Sequence, residues 1–299
     1  MKQLKALLDL VNENEDSIFK ALAQDLGKSP VESYRDEVGI VKKSATYSLS
    51  CFDKWVAFKK GDLPLLLFPS KAEVIPEPLG VVLIFSSWNF PIKVALDPLI
   101  GAISTGNTVM LKPSELAPAC MSFLIQAIPQ YLDNKAIKVI GGGADVGERL
   151  IELRWDKIFF TGSPRVGRLI MTAAGKHLTP VTLELGGKCL AIVHNTLSNP
   201  SKAKVTAKRI IRGKWGPCTG QACIAIDYVL VEEKLASTLI VILMKCIKRF
   251  YGDNLKELNS ISRIVNKHQF QRLVDLMKDP HVASFGPLLP IITVRDSQP

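Results

Sequence analysis

The sequence predicts an α/β fold whose core is a doubly wound parallel sheet. Short, continuous apolar runs alternate with helix-length segments between Gly80 and Ala174, the pattern of repeated β–α units. Glycines stand where several of those runs end, at Gly141–Gly143, Gly162 and Gly186–Gly187. The composition agrees. Of 299 residues, 47% are apolar and 22% charged, which rules out a disordered chain and allows an extensive core.

Residues 3–24 read as one amphipathic helix. Leu4, Leu7, Leu8, Val11, Ile18, Ala21 and Leu22 recur at helical spacing, and Gly27 and Pro30 stop it. A second helix covers about 32–58 and ends near Gly61. Prolines at 64, 69, 76 and 78 make Pro64–Leu79 a connecting segment, with extended pieces at Leu65–Phe68 and Glu73–Ile75. Val81–Phe85 is a strand, apolar throughout, as expected where both faces are covered. Pro91–Ser104 follows as a buried helix and Thr108–Leu111 as a strand. Ser114–Leu132 is a helix bent by Pro118 and Pro129. Ile137–Ile140 is a strand, Gly141–Gly143 a turn and Asp145–Leu153 a short helix. Lys157–Phe160 and Ser163–Ala174 complete the alternation. Beyond Pro180 come the strand Val181–Leu185, the turn Gly186–Gly187 and the strand Leu190–Val193. A strongly basic helix over 201–214 leads to a loop at Gly216–Gly220, a short helix and the strand Tyr228–Val231. Helices over 233–250 and Ile264–Met277 follow, and the tail His281–Pro299 holds one strand, Leu288–Val294. A strand at the terminus with no element after it suggests that sequence is missing. The domain boundary is expected near Leu185, giving residues 1–185 and 186–299.

Lys and Arg number 38 against 28 Asp and Glu, a formal charge of +10. That excess attracts anions without selecting one. The basic residues are scattered, with no aromatic-interleaved tract to stack bases, so no nucleic-acid partner is expected. The six cysteines (Cys51, Cys120, Cys189, Cys218, Cys223 and Cys246) form no CxxC pair, and the four histidines are far apart. Neither a disulfide scaffold nor a metal site is expected. The N-terminus enters an amphipathic helix without a signal-peptide core, and the most apolar run, Leu239–Met244, is too short to cross a membrane. A reduced, cytoplasmic compartment is the expectation.

Several groups fall at strand ends, and each has two readings. Phe160–Gly167, reading FTGSPRVG, joins a strand to a helix. Its glycines would let a phosphate approach the helix N-terminus, or they are an ordinary junction. Lys112-Pro113-Ser114-Glu115 sits at the carboxyl edge of the sheet. Lys112 and Glu115 can hydrogen-bond ribose hydroxyls, or Ser114 and Glu115 simply cap a helix. Cys223, in Gly220-Gln221-Ala222-Cys223, is either a thiolate stabilised by backbone N–H groups at a loop-to-helix junction or a small buried hydrophobe. Glu184 ends an apolar strand beside two glycines. Burial would suit it to activating water, and an ion pair with Lys188 is the alternative. Asn89, in Trp88-Asn89-Phe90-Pro91, can donate its amide N–H to a developing oxyanion or cap the following helix.

Taken together, Pro78–Val82, Trp88–Pro91, Lys112–Glu115, Phe160–Gly167, His177–Lys188 and Gly220–Cys223 resemble the aldehyde dehydrogenase superfamily, in particular a plant member of its class 3 branch. The resemblance runs from residue 1 to about 294. It implies a Rossmann-like doubly wound nucleotide-binding domain followed by an incomplete α/β catalytic domain. It implies NAD-dependent oxidation of aldehydes to carboxylic acids, with NADP as an alternative cofactor, through a cysteine thiohemiacetal and thioester. Cys223 corresponds to the nucleophile, Glu184 to the general base, and Asn89 to the oxyanion-stabilising amide. Ser86, Trp88, Lys112, Ser114, Glu115, Gly162, Ser163, Gly167 and Phe285 correspond to cofactor-binding positions. Members of the branch are usually homodimers, and no metal is implied.

The chain also departs from that pattern. It is shorter than the family's usual length, with an expected internal deletion before Phe285-Gly286-Pro287 and an expected loss beyond Val294 that removes the dimer-forming region. Ala283 stands where the family's glutamate binds the nicotinamide ribose. Cys218 replaces an asparagine, Ile226 replaces a proline, and the chain starts later than is typical. These departures point to a chain that keeps nucleotide affinity with weak or absent catalysis, alone or paired with a full-length relative. An acylating enzyme using coenzyme A is a further alternative, against which a water-activating Glu184 argues.

Overall fold

The computed structural model describes residues 1–194, 200–252 and 261–278. The expected strand Leu288–Val294, with Ala283 and Phe285, lies outside them. Contacts divide the chain into two units. One is Met1–Ile18 with Tyr34–Glu184; the other is Phe19–Ser33 with the described residues from Leu185 on.

The N-terminal helical stretch is broken. Helices α1 (Lys2–Glu13) and α2 (Glu15–Leu26) replace the single helix expected over 3–24. Asn14 causes the break: its Nδ2 donates to Leu10 O at 2.9 Å, and its backbone leaves helical geometry at φ −112°, ψ 18°. The second expected helix is also composite, with α3 (Pro30–Ser33), a π turn at Tyr34–Val38 and α4 (Gly39–Val56). A Cβ on Gly39 would lie 2.8 Å from the Tyr34 carbonyl oxygen, so the wide turn depends on that glycine.

Strands β1 (Lys59–Gly61) and β2 (Ala72–Val74) form an antiparallel ribbon. Leu65–Phe68, expected as extended, instead makes a 3₁₀ turn over Leu65–Leu67. Pro64 presets it, and its carbonyl accepts from Leu67 N at 2.9 Å.

The main sheet comes next in the chain. Strand β3 (Val81–Phe85) is followed by α5 (Lys93–Ser104), β4 (Thr108–Lys112), α6 (Pro118–Tyr131), β5 (Ile137–Val139), α7 (Ala144–Glu152), β6 (Lys157–Gly162), α8 (Pro164–Gly175) and β7 (Val181–Leu185). The strand order is β5-β4-β3-β6-β7, and the pairs β3–β4, β3–β6 and β4–β5 are parallel. The chain lays strands on one side of β3 and then on the other. The carboxyl ends around β3 are therefore a topological switch point, where doubly wound sheets bind ligands. Helix α6 starts at Pro118 rather than Ser114, so Pro118 begins the helix instead of bending it.

One core packs β3 and β6 against α7 and α8: Leu83, Phe85, Ile158 and Phe160 meet Leu150, Trp155 and Ile170. Each such side chain contributes about 1.5–3 kcal/mol by leaving water. In the second unit, β8 (Cys189–Val193) and β9 (Ile226–Val231) are joined through α9 (Pro200–Trp215) and pair in parallel, with an irregularity between Cys189 and Leu190. Helices α10 (Glu233–Tyr251) and α11 (Lys267–Met277) follow. Val193, Ala207, Ile210, Ile211, Leu239 and Cys246 form its core. Among the described residues, no helix is long and apolar enough to cross a membrane.

Candidate active site

The cofactor-side candidates of the first unit gather along one sheet edge. Ser86, directly after β3, donates its N–H to the Lys112 carbonyl at the end of β4, at 3.2 Å. Its buried Oγ has no hydrogen-bond partner among the described residues. The buried Lys112 Nζ donates to Glu115 Oε2 at 3.0 Å and to Pro113 O at 3.3 Å, which uses two of its three protons. Ser114 Oγ accepts from Leu116 N at 3.3 Å, so it closes a turn ahead of α6 rather than capping that helix. At the end of β6, Ser163 caps α8, its Oγ accepting from Val166 N at 3.3 Å; Gly167 is buried one turn on. A Cβ on Gly162 would lie 2.4 Å from the Phe160 ring, so glycine is required here by close packing as well as by any ligand.

Asn89 is half-buried beside Trp88. Ser87 Oγ donates to Asn89 Oδ1 at 2.7 Å, which turns the amide N–H₂ away from Ser87. Asn89 does not cap α5. The buried Glu37 carboxylate does, accepting from Ile92 N at 2.9 Å and Lys93 N at 3.1 Å from its place in the π turn. A carboxylate at a helix start also satisfies the helix dipole. Neither Glu37 nor Ser87 carries a local sequence signal, since the first acts across 55 residues and the second is one serine among many.

Glu184 departs from expectation. It is exposed near the end of β7, so the burial expected from sequence is absent. Lys188 lies 3.9 Å from Asp227 rather than pairing with Glu184. A Cβ at Gly186 or Gly187 would meet open space, so close packing does not require glycine at either position.

Cys223 lies in the second unit and is exposed. No helix follows it. A 3₁₀ turn at Cys218–Gly220 precedes it, Ala225 N donates to Ala222 O at 3.0 Å, and β9 begins at Ile226. Cys218 (φ 47°) and Thr219 (φ 50°) are both left-handed without being glycine, costing about 1–2 kcal/mol each. Buried and half-buried hydrogen bonds hold that strained turn. Glu32 Oε1 accepts from Cys218 N at 2.8 Å, while its Oε2 accepts from Ser262 Oγ at 2.7 Å. Gln221 Nε2 donates to Arg263 O at 2.8 Å, and Gln221 Oε1 accepts from Val265 N at 3.0 Å. Arg263 in turn donates to Ala23 O and Gln24 O near the end of α2, at 3.0 and 2.6 Å. Glu32 and Ser262 are invisible from sequence because their partners are 186 and 230 residues away.

A family model described as the aldehyde dehydrogenase family matches residues 1–284. The chain belongs to that family. Its relatives include aldehyde dehydrogenase family 3 member F1 of Arabidopsis thaliana, 53% identical over 99% of this chain and 68% of the relative. Member H1 of the same plant is 42% identical, over 98% of this chain and 67% of the relative. The match to member F1 runs over 331 positions, more than the 299 residues of this chain, so the relative carries residues opposite gaps here. Among solved structures, the substrate-bound state of Staphylococcus aureus AldH superposes with a TM-score of 0.88 at 41% identity, covering 92% of this chain and 59% of that one. The aldehyde dehydrogenase relatives are thus matched over about three-fifths to two-thirds of their length.

Proposed function

We propose that the protein oxidises aldehydes to carboxylic acids with NAD, or NADP, through a thioester on Cys223. The observation that carries this reading is an exposed cysteine three residues after a strained turn that buried and half-buried hydrogen bonds hold. An inert cysteine does not need such a mounting. Membership of the aldehyde dehydrogenase family supports the reaction class.

The residues present fit a dinucleotide. Ser86 offers a buried hydroxyl without a protein partner among the described residues, and Lys112 has a proton to spare at the neighbouring strand end. Lys112 and Glu115 would hold the adenosine ribose, and Gly162 and Ser163 at the start of α8 the pyrophosphate. Ser114, Trp88 and Gly167 complete the proposed lining. Glu115 would repel a 2′-phosphate, which favours NAD. Its exposed side chain can turn aside from Lys112, which leaves room for NADP.

In the reaction, the Cys223 thiolate attacks the aldehyde carbonyl carbon. The oxygen gains negative charge, which the Asn89 amide and the Cys223 N–H stabilise. When bound, the nicotinamide supplies the oxidation by accepting a hydride. Glu184 then takes a proton from the water that hydrolyses the thioester, freeing the carboxylate and restoring Cys223. Exposure of Glu184 gives that water access.

The test is NADH formation by the pure chain with an aliphatic aldehyde. Turnover should vanish in Cys223→Ser and fall roughly 10²–10³-fold in Asn89→Ala. Turnover that survives Cys223→Ser would overturn the proposal. One observation favours a second reading, nucleotide binding with little or no turnover. The outer face of β8–β9 is apolar and exposed, a surface open to a second polypeptide. Saturable NAD binding without NADH formation, together with co-purification of a full-length family member, would select it.

A further inference from the structure

We propose that Cys189 is the resolving thiol for Cys223, so that peroxide joins the two in a reversible disulfide. The proposal goes beyond the dehydrogenase reading and needs only an accessible Cys223, not turnover.

Cys189 opens β8 opposite Ile226 in β9, and its N–H donates to Asp227 Oδ2 at 3.2 Å. Its backbone is thereby pinned beside the segment that begins three residues after Cys223. Its Sγ points back along that segment and lies 3.2 Å from the Cys223 carbonyl oxygen. A carbonyl oxygen is about 2.4 Å from its own Cα, which places the Cys189 sulfur within about 6 Å of the Cys223 Cα. The Cys189 Cα is about 2.8 Å from its own sulfur, so the contact bounds the Cα–Cα separation at about 8 Å; disulfides bridge Cα atoms roughly 4.4–6.8 Å apart, and side-chain rotation with a small backbone shift brings the sulfurs together. Cys223 is exposed and Cys189 half-buried, whereas Cys218 and Cys246 are buried and Cys51 and Cys120 belong to the first unit. Cys218 is the nearest in sequence, but it is walled in and its sulfur is 3.7 Å from Gln221 Nε2.

The chemistry balances without another reactant. The Cys223 thiolate attacks one oxygen of hydrogen peroxide and breaks the O–O bond. This gives a sulfenic acid and hydroxide. The Cys189 thiolate then attacks the sulfenyl sulfur, forms the S–S bond and expels a second hydroxide, which is protonated to water. Two thiols are oxidised, and one peroxide is reduced to two waters. The alternative fate of an unresolved sulfenic acid is sulfinic acid, which thiols do not reduce.

The experiment treats the reduced, purified chain with hydrogen peroxide at mildly alkaline pH, blocks remaining thiols with iodoacetamide and maps unreduced peptides by tandem mass spectrometry. The expected product is a Cys189–Cys223 cross-link, with Cys223 labelling restored by dithiothreitol. Cys189→Ser and Cys189→Ala should give no cross-link, accumulate Cys223 sulfinic acid and recover at least about fivefold less labelling. Near-native circular dichroism of either variant controls for folding. A wild-type chain that forms sulfinic acid as fast as the variants, or that links Cys223 to Cys218 or to another chain, would overturn the proposal. NADH formation is not read, so failure of the dehydrogenase reading leaves this result interpretable.

Discussion

A hydroxyl that fixes an amide determines which end of the amide is offered to a substrate. Ser87 does this for Asn89, its Oγ donating to Oδ1 at 2.7 Å. Removing it leaves the amide in place but less constrained. Ser87→Ala should therefore lower kcat by about three- to tenfold with little change in KM for aldehyde, well short of the loss for Asn89→Ala. A Ser87→Ala variant with unchanged kcat, measured under conditions where Asn89→Ala is impaired, would mean that Ser87 does not orient the amide. Gly162 behaves differently, because its constraint is steric. A methyl group there meets the buried Phe160 ring at 2.4 Å. Gly162→Ala should cost about 1–3 kcal/mol of stability, read by urea denaturation, and weaken NAD binding as the β6–α8 junction shifts. Asn89, Lys112 and Cys223 stand out in the sequence because each lies in a motif at a strand end or loop. Ser87 and Glu37 do not, since their roles exist only once a partner is brought to them. Glu184 shows the opposite error: an apolar strand argues for burial, yet the strand end emerges into solvent.

The elements of the main sheet are legible in the sequence because short apolar runs bounded by turn residues, continuous over Val81–Phe85 and three residues long at Val109–Leu111 and Ile158–Phe160, fit buried strands better than they fit any helix. Helix breaks are not legible. Asn14 breaks the first helix through one side-chain hydrogen bond, and Gly39 widens a turn that helical periodicity alone runs straight through. The turn before Cys223 reads from sequence as a loop leading to a helix, but two consecutive left-handed residues and the early start of β9 leave no room for one. That turn is also where an element far away in sequence matters most. Short helix α3 delivers Glu32 to Cys218 N and Ser262 Oγ, and the burial of all three groups makes the carboxylate hard to replace. Hydrogen bonds to a charged group contribute about 1.5–3 kcal/mol each, and losing the acceptor strands a buried N–H. Glu32→Ala should destabilise the protein by about 2–4 kcal/mol in urea. Glu32→Gln, which keeps an acceptor, should cost less than about half of that. Equal losses from the two would mean that the acceptor is not what holds the turn.

At the scale of the whole molecule, the second unit takes Phe19–Ser33 from near the chain's beginning and combines it with residues beyond Leu185. A boundary placed by composition along the chain cannot register such an exchange, because it is made by contacts between segments about two hundred residues apart. The same unit carries a feature that parallel sheets normally avoid. On one face of β8–β9, Val193, Val229 and Val231 pack with α9 and α10; on the other, Leu190 faces Tyr228 and Ile192 faces Leu230, all exposed. Ile192 is 74% exposed and Leu230 53%, a high value for adjacent apolar residues in paired strands. Parallel strands are usually covered on both sides, and contiguous apolar surface of this kind is sticky. The chain alone should therefore bind the dye ANS in its folded state and self-associate as concentration rises. Ile192→Lys combined with Leu230→Glu places opposite charges across the strand pair without touching the α9–α10 core. That double variant should lose most of the ANS signal and sediment as a smaller species, with its urea midpoint nearly unchanged. If ANS binding and sedimentation stay as they were, the exposed face is not the sticky surface, and the apolar segment around Leu65, Leu66 and Phe68 becomes the next surface to substitute.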